Sequence, residues 1–247
     1  MRTWLAASLA MLIGGATSAA ARGSRLAEPT PPLPTYLCHQ VSTPIVVNGK
    51  LDEPAWQQAV RFTDFRLADG LTPPTHRTEF RAVWDTTCLY LSFVCYGPTT
   101  IATMTKRDSG LYAEDCVEAF LSTGGDLHRY FEFEFSPNNV QMDASVFPTP
   151  GRRDKIVDYG WNCKGLQTAT RIEGTGDDRR WTIEIAIPFA SIGRDRKPPT
   201  PGQTWRANFY RIEYSTQPEE YLCWSPMYGE ADFHARDRFG HFVFANK

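Results

Sequence analysis

Basic clusters are absent from this sequence, and its formal net charge is −2. Nucleic-acid backbones are therefore excluded as a partner class, since that binding rests on Lys and Arg neutralising phosphates. A weakly acidic surface also disfavours docking on anionic lipid. Long apolar runs are missing too. The apolar stretch Trp4 to Ala16 is too short to cross a bilayer, which takes about 20 residues, so no transmembrane anchor is expected. The six cysteines (Cys38, Cys88, Cys95, Cys116, Cys163 and Cys223) include no C-x-x-C pair, which removes the usual zinc and haem-attachment patterns. No G-x-S-x-G elbow, Gly-rich phosphate loop or EF-hand-like loop occurs. His128, His234, His241 and Met142 are available as haem ligands, but no H-x-x-x-H or H-x-H spacing supports them.

What is present begins with an export pattern. Arg2 supplies a positive start, Trp4 to Ala16 an apolar core, and Ala19-Ala20-Ala21 a cleavage site. Residues 1–21 read as a signal peptide cleaved after Ala21, and the mature chain as secreted or periplasmic. An even number of cysteines in an exported chain permits disulfides. Cys88, Cys95 and Cys116 lie in apolar strand-like runs, where buried free thiols are the alternative. Pro29, Pro31, Pro32 and Pro34 make residues 22–43 a Pro-rich linker. The globular part is expected from Pro44 to residue 247.

Within that part the dominant hydrophobic period is two. Cys88 to Tyr96 is nearly continuously apolar, as suits a central strand. In Arg129 to Ser136, Phe131, Phe133 and Phe135 share one face while Glu132 and Glu134 share the other. Val140 to Val146 follows Pro137-Asn138-Asn139 at hairpin spacing. Trp181, Ile183, Ile185 and Ile187 point one way. Helical signal is confined to two short turns, one with Asp52 as N-cap and Pro54 in its first turn, the other at Pro188 to Gly193. Thr149 to Asp158 and Arg194 to Gly202 read as exposed loops. About ten short strands with turn signals between them give an all-β fold, a sandwich or barrel.

The order of motifs resembles family-9 carbohydrate-binding modules. The segments that carry the likeness are PIVVNGKLDEPAW (from Pro44), FRAVWDTTCLYLSFVCYGP (from Phe80), LYAEDCVEAFLS (from Leu111), WTIEIAIPFASIG (from Trp181) and WSPMYGEADFHARDRFGHFVF (from Trp224). Each is weak alone; five in the same order cover Pro44 to Phe244. The resemblance implies a two-sheet antiparallel β-sandwich of jelly-roll type, with one or two short helical turns. It also implies non-catalytic binding of a poly- or oligosaccharide between two aromatic side chains, in modules usually appended to xylanases or other glycan-degrading enzymes; for this chain, separate glycan-degrading enzymes are the expected partners. Calcium can be carried as a structural ion in such modules, and acid-rich turns at Asp115 or Asp232 are the candidates. Carried over by position, the clamp aromatics are Tyr112 and Phe233, where the family normally has Trp. The motif glutamate is Glu118, and the polar contacts of the next strand are Glu132 and Glu134, acids here in place of basic and amide groups.

A sugar site asks for flat aromatic plates against CH faces and fixed polar groups for hydroxyls. Tyr112 and Phe233 fit the first need, or else pack within loops. Glu118, Glu132 and Glu134 fit the second, although alternation alone would explain the last two as a solvated outer face. Asn208, in step with Arg206 and Tyr210, lines the same concave face or a plain surface. The alternative function is a glycoside hydrolase using a carboxylate pair. Glu132 and Glu134 stand about 6.5–7 Å apart by strand rise, within range for such a pair. They point the same way, however, whereas a hydrolase needs acids on opposite sides of the bond.

Overall fold

The computed structural model describes residues 30–150 and 154–246. The signal read over residues 1–21 and the start of the linker lie outside the described residues. Thirteen strands form one hydrogen-bonded sheet that curls into two packed layers. In chain order the strands begin with β1 (Thr35–Gln40), β2 (Arg66–Leu67), β3 (Thr78–Trp84), β4 (Cys88–Tyr96) and β5 (Cys116–Ser122). β6 (Tyr130–Phe135), β7 (Gln141–Pro148), β8 (Lys155–Asp158), β9 (Gln167–Glu173) and β10 (Arg180–Pro188) follow. The last three are β11 (Thr204–Glu213), β12 (Glu220–Cys223) and β13 (Gly240–Ala245). The path across the sheet is β8-β7-β6-β5-β11-β13-β1-β3-β4-β10-β9, with β12 and then β2 branching from β11. Two short helices, α1 (Pro54–Gln58) and α2 (Phe189–Ile192), complete it.

The core lies where the two layers face each other. Phe133 and Phe135 of β6, Ala119 of β5 and Phe209 of β11 meet Phe80 of β3, Phe93 of β4 and Ile183 of β10, all fully buried. Phe209 stacks on Phe80 with centroids 4.1 Å apart, joining the layers. A period-two pattern forces this outcome. Once Phe131, Phe133 and Phe135 go inward, every second residue of β6 must go to the other face.

Three sequence expectations need correction. Residues 35–40 are not linker. β1 pairs with β13 and β3, burying Tyr36 and Cys38, so the globular part starts nine residues before Pro44. Both ladders of β1 are parallel, the exceptions in an otherwise antiparallel sheet. Residues 155–158, read as loop, form β8 on the edge of the sheet and pair with β7. At α1 the N-cap is Glu53 rather than Asp52, with Pro54 in the first turn. All six cysteines are free thiols, five buried and Cys88 half-buried.

Candidate functional site

The outer face of the β6 layer is not the solvated surface that alternation suggests. Register places Glu118 of β5 opposite Glu134 of β6, and Phe120 opposite Glu132. β11 sets Tyr210 beside Glu118 and Ile212 beside Cys116. β7 sets Met142 beside Glu134, and β12 brings Tyr221 beside Ile212. Side chains of one register parity thus share one face. Chain segments around 108–112, 155–159 and 231–234 rise around it to enclose a cavity of about 770 Å³, within the range of small-ligand sites. Glu118, Glu132 and Glu134 lie at its floor, 1%, 6% and 1% exposed.

Around the rim the aromatics differ in role. Tyr112 sits on the 3₁₀ turn Leu111–Ala113 with 60% of its surface exposed. Its backbone N–H donates to Glu134 Oε2 at 3.0 Å, tying the rim to the floor. Tyr159, just past β8, is equally exposed and also lines the cavity. Phe233 is built into the wall. It stacks on Tyr210 at 3.9 Å and 8°, and its carbonyl accepts from the Tyr210 hydroxyl at 2.8 Å. One ring face is therefore already covered. His234 Nδ1 and the Tyr130 hydroxyl share a 2.6 Å hydrogen bond, while His234 Nε2 stands 4.0 Å from Glu132 Oε1.

Burial dominates the electrostatics of the floor. It raises Glu132 to about 7, with Lys155 opposing. It raises Glu134 to about 8, reinforced by Glu132 and opposed by the Tyr112 and Leu111 amides. Glu118 is pushed well above the carboxylate range by burial, then by Glu134 and Glu132. Its one hydrogen-bond partner among the described residues is the Cys116 thiol, 3.7 Å away. Burial and then Lys155 lower His234 to about 4, so that ring is neutral at pH 7. The Tyr159 phenol is raised by burial and then by Glu132, Tyr112 and Glu134. At neutral pH most of the floor is protonated carboxyl, able to donate and accept at once. Such groups match hydroxyls, which do the same.

Five of the six residues expected from sequence therefore line one cavity: Tyr112, Glu118, Glu132, Glu134 and Phe233. Asn208 does not. It is fully buried, its amide donates to the Ser225 carbonyl at 2.8 Å, and its carbonyl accepts from Ser225 N at 3.0 Å. The chain leaving β12 covers that end of the face, so Asn208 stitches the layer together. Sequence reasoning missed Lys155, which fell within the loop read over Thr149 to Asp158, and Tyr159, the residue that follows it. His234 it weighed as a haem ligand. His234 and Met142 line the cavity, whereas His128 is exposed and His241 lies on β13. The calcium candidates do not form a donor set. Asp115 accepts from the backbone N–H groups of Ile101 and Tyr214 at 2.8 and 2.6 Å, and Asp232 from that of His234 at 3.1 Å. No group of three His, Cys, Asp or Glu suited to a metal gathers among the described residues.

Three solved structures share the fold. A provisionally designated carbohydrate-binding protein of Bacteroides uniformis ATCC 8492 superposes with a TM-score of 0.66 at 18% identity, over 86% of this chain and 100% of that one. A family-9 carbohydrate-binding module of Caldicellulosiruptor kristjanssonii in complex with glucose gives 0.60 at 17% identity, over 87% and 97%. The complex of such a module with cellotriose gives 0.60 at 16%, over 87% and 95%. An extracellular protein of Arthroderma benhamiae (strain ATCC MYA-4681 / CBS 112371) is 34% identical over 150 residues. That match takes in 56% of this chain and 64% of the relative, less than two thirds of its length. The model of carbohydrate-binding family 9 matches residues 68–244, well over half of the sequence, and the chain belongs to that family.

Proposed function

We propose that this carbohydrate-binding protein holds an oligosaccharide in the cavity over β5 and β6, with a sugar ring against Tyr112 and Tyr159 and its hydroxyls on Glu118, Glu132 and Glu134. The observation that carries the reading is the pairing of two exposed tyrosines with a floor of buried carboxyl groups in one cavity. Gluco-oligosaccharides are the first ligands to test, because modules of the same fold hold glucose and cellotriose. Phe233 serves as wall rather than free plate. The floor acids all project from one sheet face, which suits recognition and not the opposed acid pair of a glycosidase. Separate glycan-degrading enzymes would supply turnover.

Titration calorimetry with cello-oligosaccharides tests this. Tyr112→Ala and Tyr159→Ala should each cost about 1–3 kcal/mol, roughly a 5–150-fold weakening, by analogy with aromatic anchors at interfaces. Thermal stability should hardly change, since both rings are exposed. Phe233→Ala should instead lower the melting temperature as well, because Tyr210 loses its stacking partner. Parent-like binding by both tyrosine variants would move the site elsewhere. Release of new reducing ends, abolished by Glu132→Gln or Glu134→Gln, would favour the hydrolase reading.

Export belongs to the same proposal. The pattern of Arg2, Trp4 to Ala16 and Ala19-Ala20-Ala21 supports it, as does the extracellular relative. No helix among the described residues is long and apolar enough to cross a membrane. N-terminal sequencing of protein recovered outside the cytoplasm should start near Arg22; a chain still beginning at Met1 would refute cleavage.

A further inference from the structure

We infer that the cavity selects a sugar carrying a protonated amino group, a 2-amino-2-deoxyhexose, over its neutral and uronic-acid counterparts. The inference rests on the glycan-binding reading of this cavity and names the ligand class. Three observations carry it. First, Glu118 and Glu134 are cross-strand neighbours, with Cβ atoms about 4.5–5.5 Å apart. Glu132 lies one pleat along the same face, at about 6.5–7 Å. Three carboxyl groups thus converge on one volume.

Second, two of them have few hydrogen bonds among the described residues. Glu118, 1% exposed, has only a long contact to a thiol. Glu132, 6% exposed, makes no hydrogen bond among the described residues; its nearest basic atom is His234 Nε2 at 4.0 Å. Carboxyl groups that open onto a cavity with few protein hydrogen bonds are placed to take a ligand's donors.

Third, the described surroundings carry little positive charge. Lys155 is exposed at the start of β8, and among the described residues it is the one Lys or Arg lining the cavity. His234 is neutral at pH 7 and committed through Nδ1 to Tyr130. Among the described residues, the remaining titratable and charged groups around the acids are Cys116 and Tyr210 from the floor strands, Tyr130 beside His234, Asp108, Tyr112 and Tyr159 from the rim, Asp232 and Arg236 near Tyr130, Tyr214 just after β11, and Tyr221 on β12. Of these only Arg236 is positive, and it stays outside the cavity lining with its guanidinium directed to the Thr149 carbonyl. A neutral hydroxyl satisfies hydrogen bonds only. An ammonium group brings three donors to three acceptors together with the missing charge. A uronate would add a fourth acid to a buried acidic cluster.

Binding an ammonium should draw one floor carboxyl to its ionised form and release that proton to solvent, while the amine stays charged. The linkage has a definite sign. The ionised form grows as pH rises from 5 towards the value of about 7 at Glu132. Amine affinity should therefore increase by at least about tenfold between pH 5 and 7.

Calorimetry on the purified protein with deacetylated chitotetraose, cellotetraose and tetragalacturonate tests the inference. Chitotetraose differs from cellotetraose only at the 2-position. At about pH 6, where the free amine is still largely protonated, it should bind at least about tenfold tighter, with net proton release visible as a dependence of the heat on buffer ionisation. Tetragalacturonate should not bind measurably. In Glu118→Gln and Glu132→Gln, which keep shape and remove charge, the preference should shrink to about threefold or less, with folding checked by thermal melting. Cellotetraose binding as tightly as chitotetraose would overturn the inference and leave the glycan reading standing, and so would a preference that persists in the Glu118→Gln/Glu132→Gln double variant. Binding of none of the three would overturn both.

Discussion

Glu184→Ala should cost the domain about 3–5 kcal/mol of stability and lower its melting temperature by about 6–20 °C, while leaving glycan affinity unchanged below the transition. Glu184 is fully buried on β10. Its Oε2 accepts from the backbone N–H groups of Asn48 and Gly49 at 2.7 and 2.6 Å, and its Oε1 from the Trp56 indole at 2.8 Å. One carboxylate thus satisfies three donors. It fixes the Asn48-Gly49 turn, where Gly49 has φ 80° and lies close to the β9 backbone. It also seats the Trp56 ring of α1, which packs with Ile45, Val83 and Tyr90. Truncation orphans all three donors, each worth about 1–3 kcal/mol. Glu184→Gln should fall between, since one amide oxygen remains to accept while the NH₂ group faces donors. Calorimetric melting of the two variants decides it; an alanine variant within about 1 kcal/mol of the parent would show that the turn and α1 hold without the carboxylate.

The same residue shows what the sequence could and could not tell. The Asn-Gly turn, the short helix with its Trp and the Ile183-Glu184-Ile185 alternation were each legible locally. That Glu184 reaches back 136 residues to Asn48 was not, because the contact depends on how the layers stack. The cavity follows the same rule. The alternation of Phe131, Phe133 and Phe135 against Glu132 and Glu134 correctly assigned faces. It could not say which loops would climb over the acidic face, and so it allowed a solvated surface. Family position led to Tyr112, Glu118 and Phe233. It had nothing to offer for Tyr159, since β8 is a four-residue edge strand in a Pro- and Gly-containing stretch whose weak alternation shows only once β7 is beside it. Asn208 failed for the complementary reason. Parity set it on the right face, but the chain after β12 closes over that end.

Stability should fall as pH rises from about 5 to 8.5, and Glu132→Gln should flatten part of that fall. The native state binds protons more tightly than the unfolded chain at Glu132, raised from 4.5 to about 7, and at Glu134, raised to about 8. Glu118 is raised as well. For groups raised on folding, the stabilising contribution is complete below the unfolded value and is lost as pH climbs through the folded one. His234 works the other way. Lowered from 6.5 to about 4, it favours the native state increasingly as pH rises from 4 to 6.5 and adds nothing beyond. Asp69, Glu79, Asp85 and Glu114, all lowered, contribute in full once pH exceeds the ordinary carboxylate range. The optimum therefore lies on the mildly acidic side of neutral, with an alkaline decline set by the cavity floor. At about 1.4 kcal/mol per pH unit, Glu132 alone is responsible for roughly 2–3 kcal/mol between pH 5 and 8.5. Relative to the parent, Glu132→Gln should gain about 2 kcal/mol across that interval, an extra 4–8 °C in melting temperature. Parallel melting curves of parent and Glu132→Gln at both pH values measure this directly. If the two proteins move together with pH, the floor carboxyls are not the groups that titrate, and the surplus of acid in the cavity does not cost the fold what its burial implies. If they diverge as expected, the domain keeps a destabilising acidic floor in the cavity proposed to take the glycan, where a bound ligand would repay it.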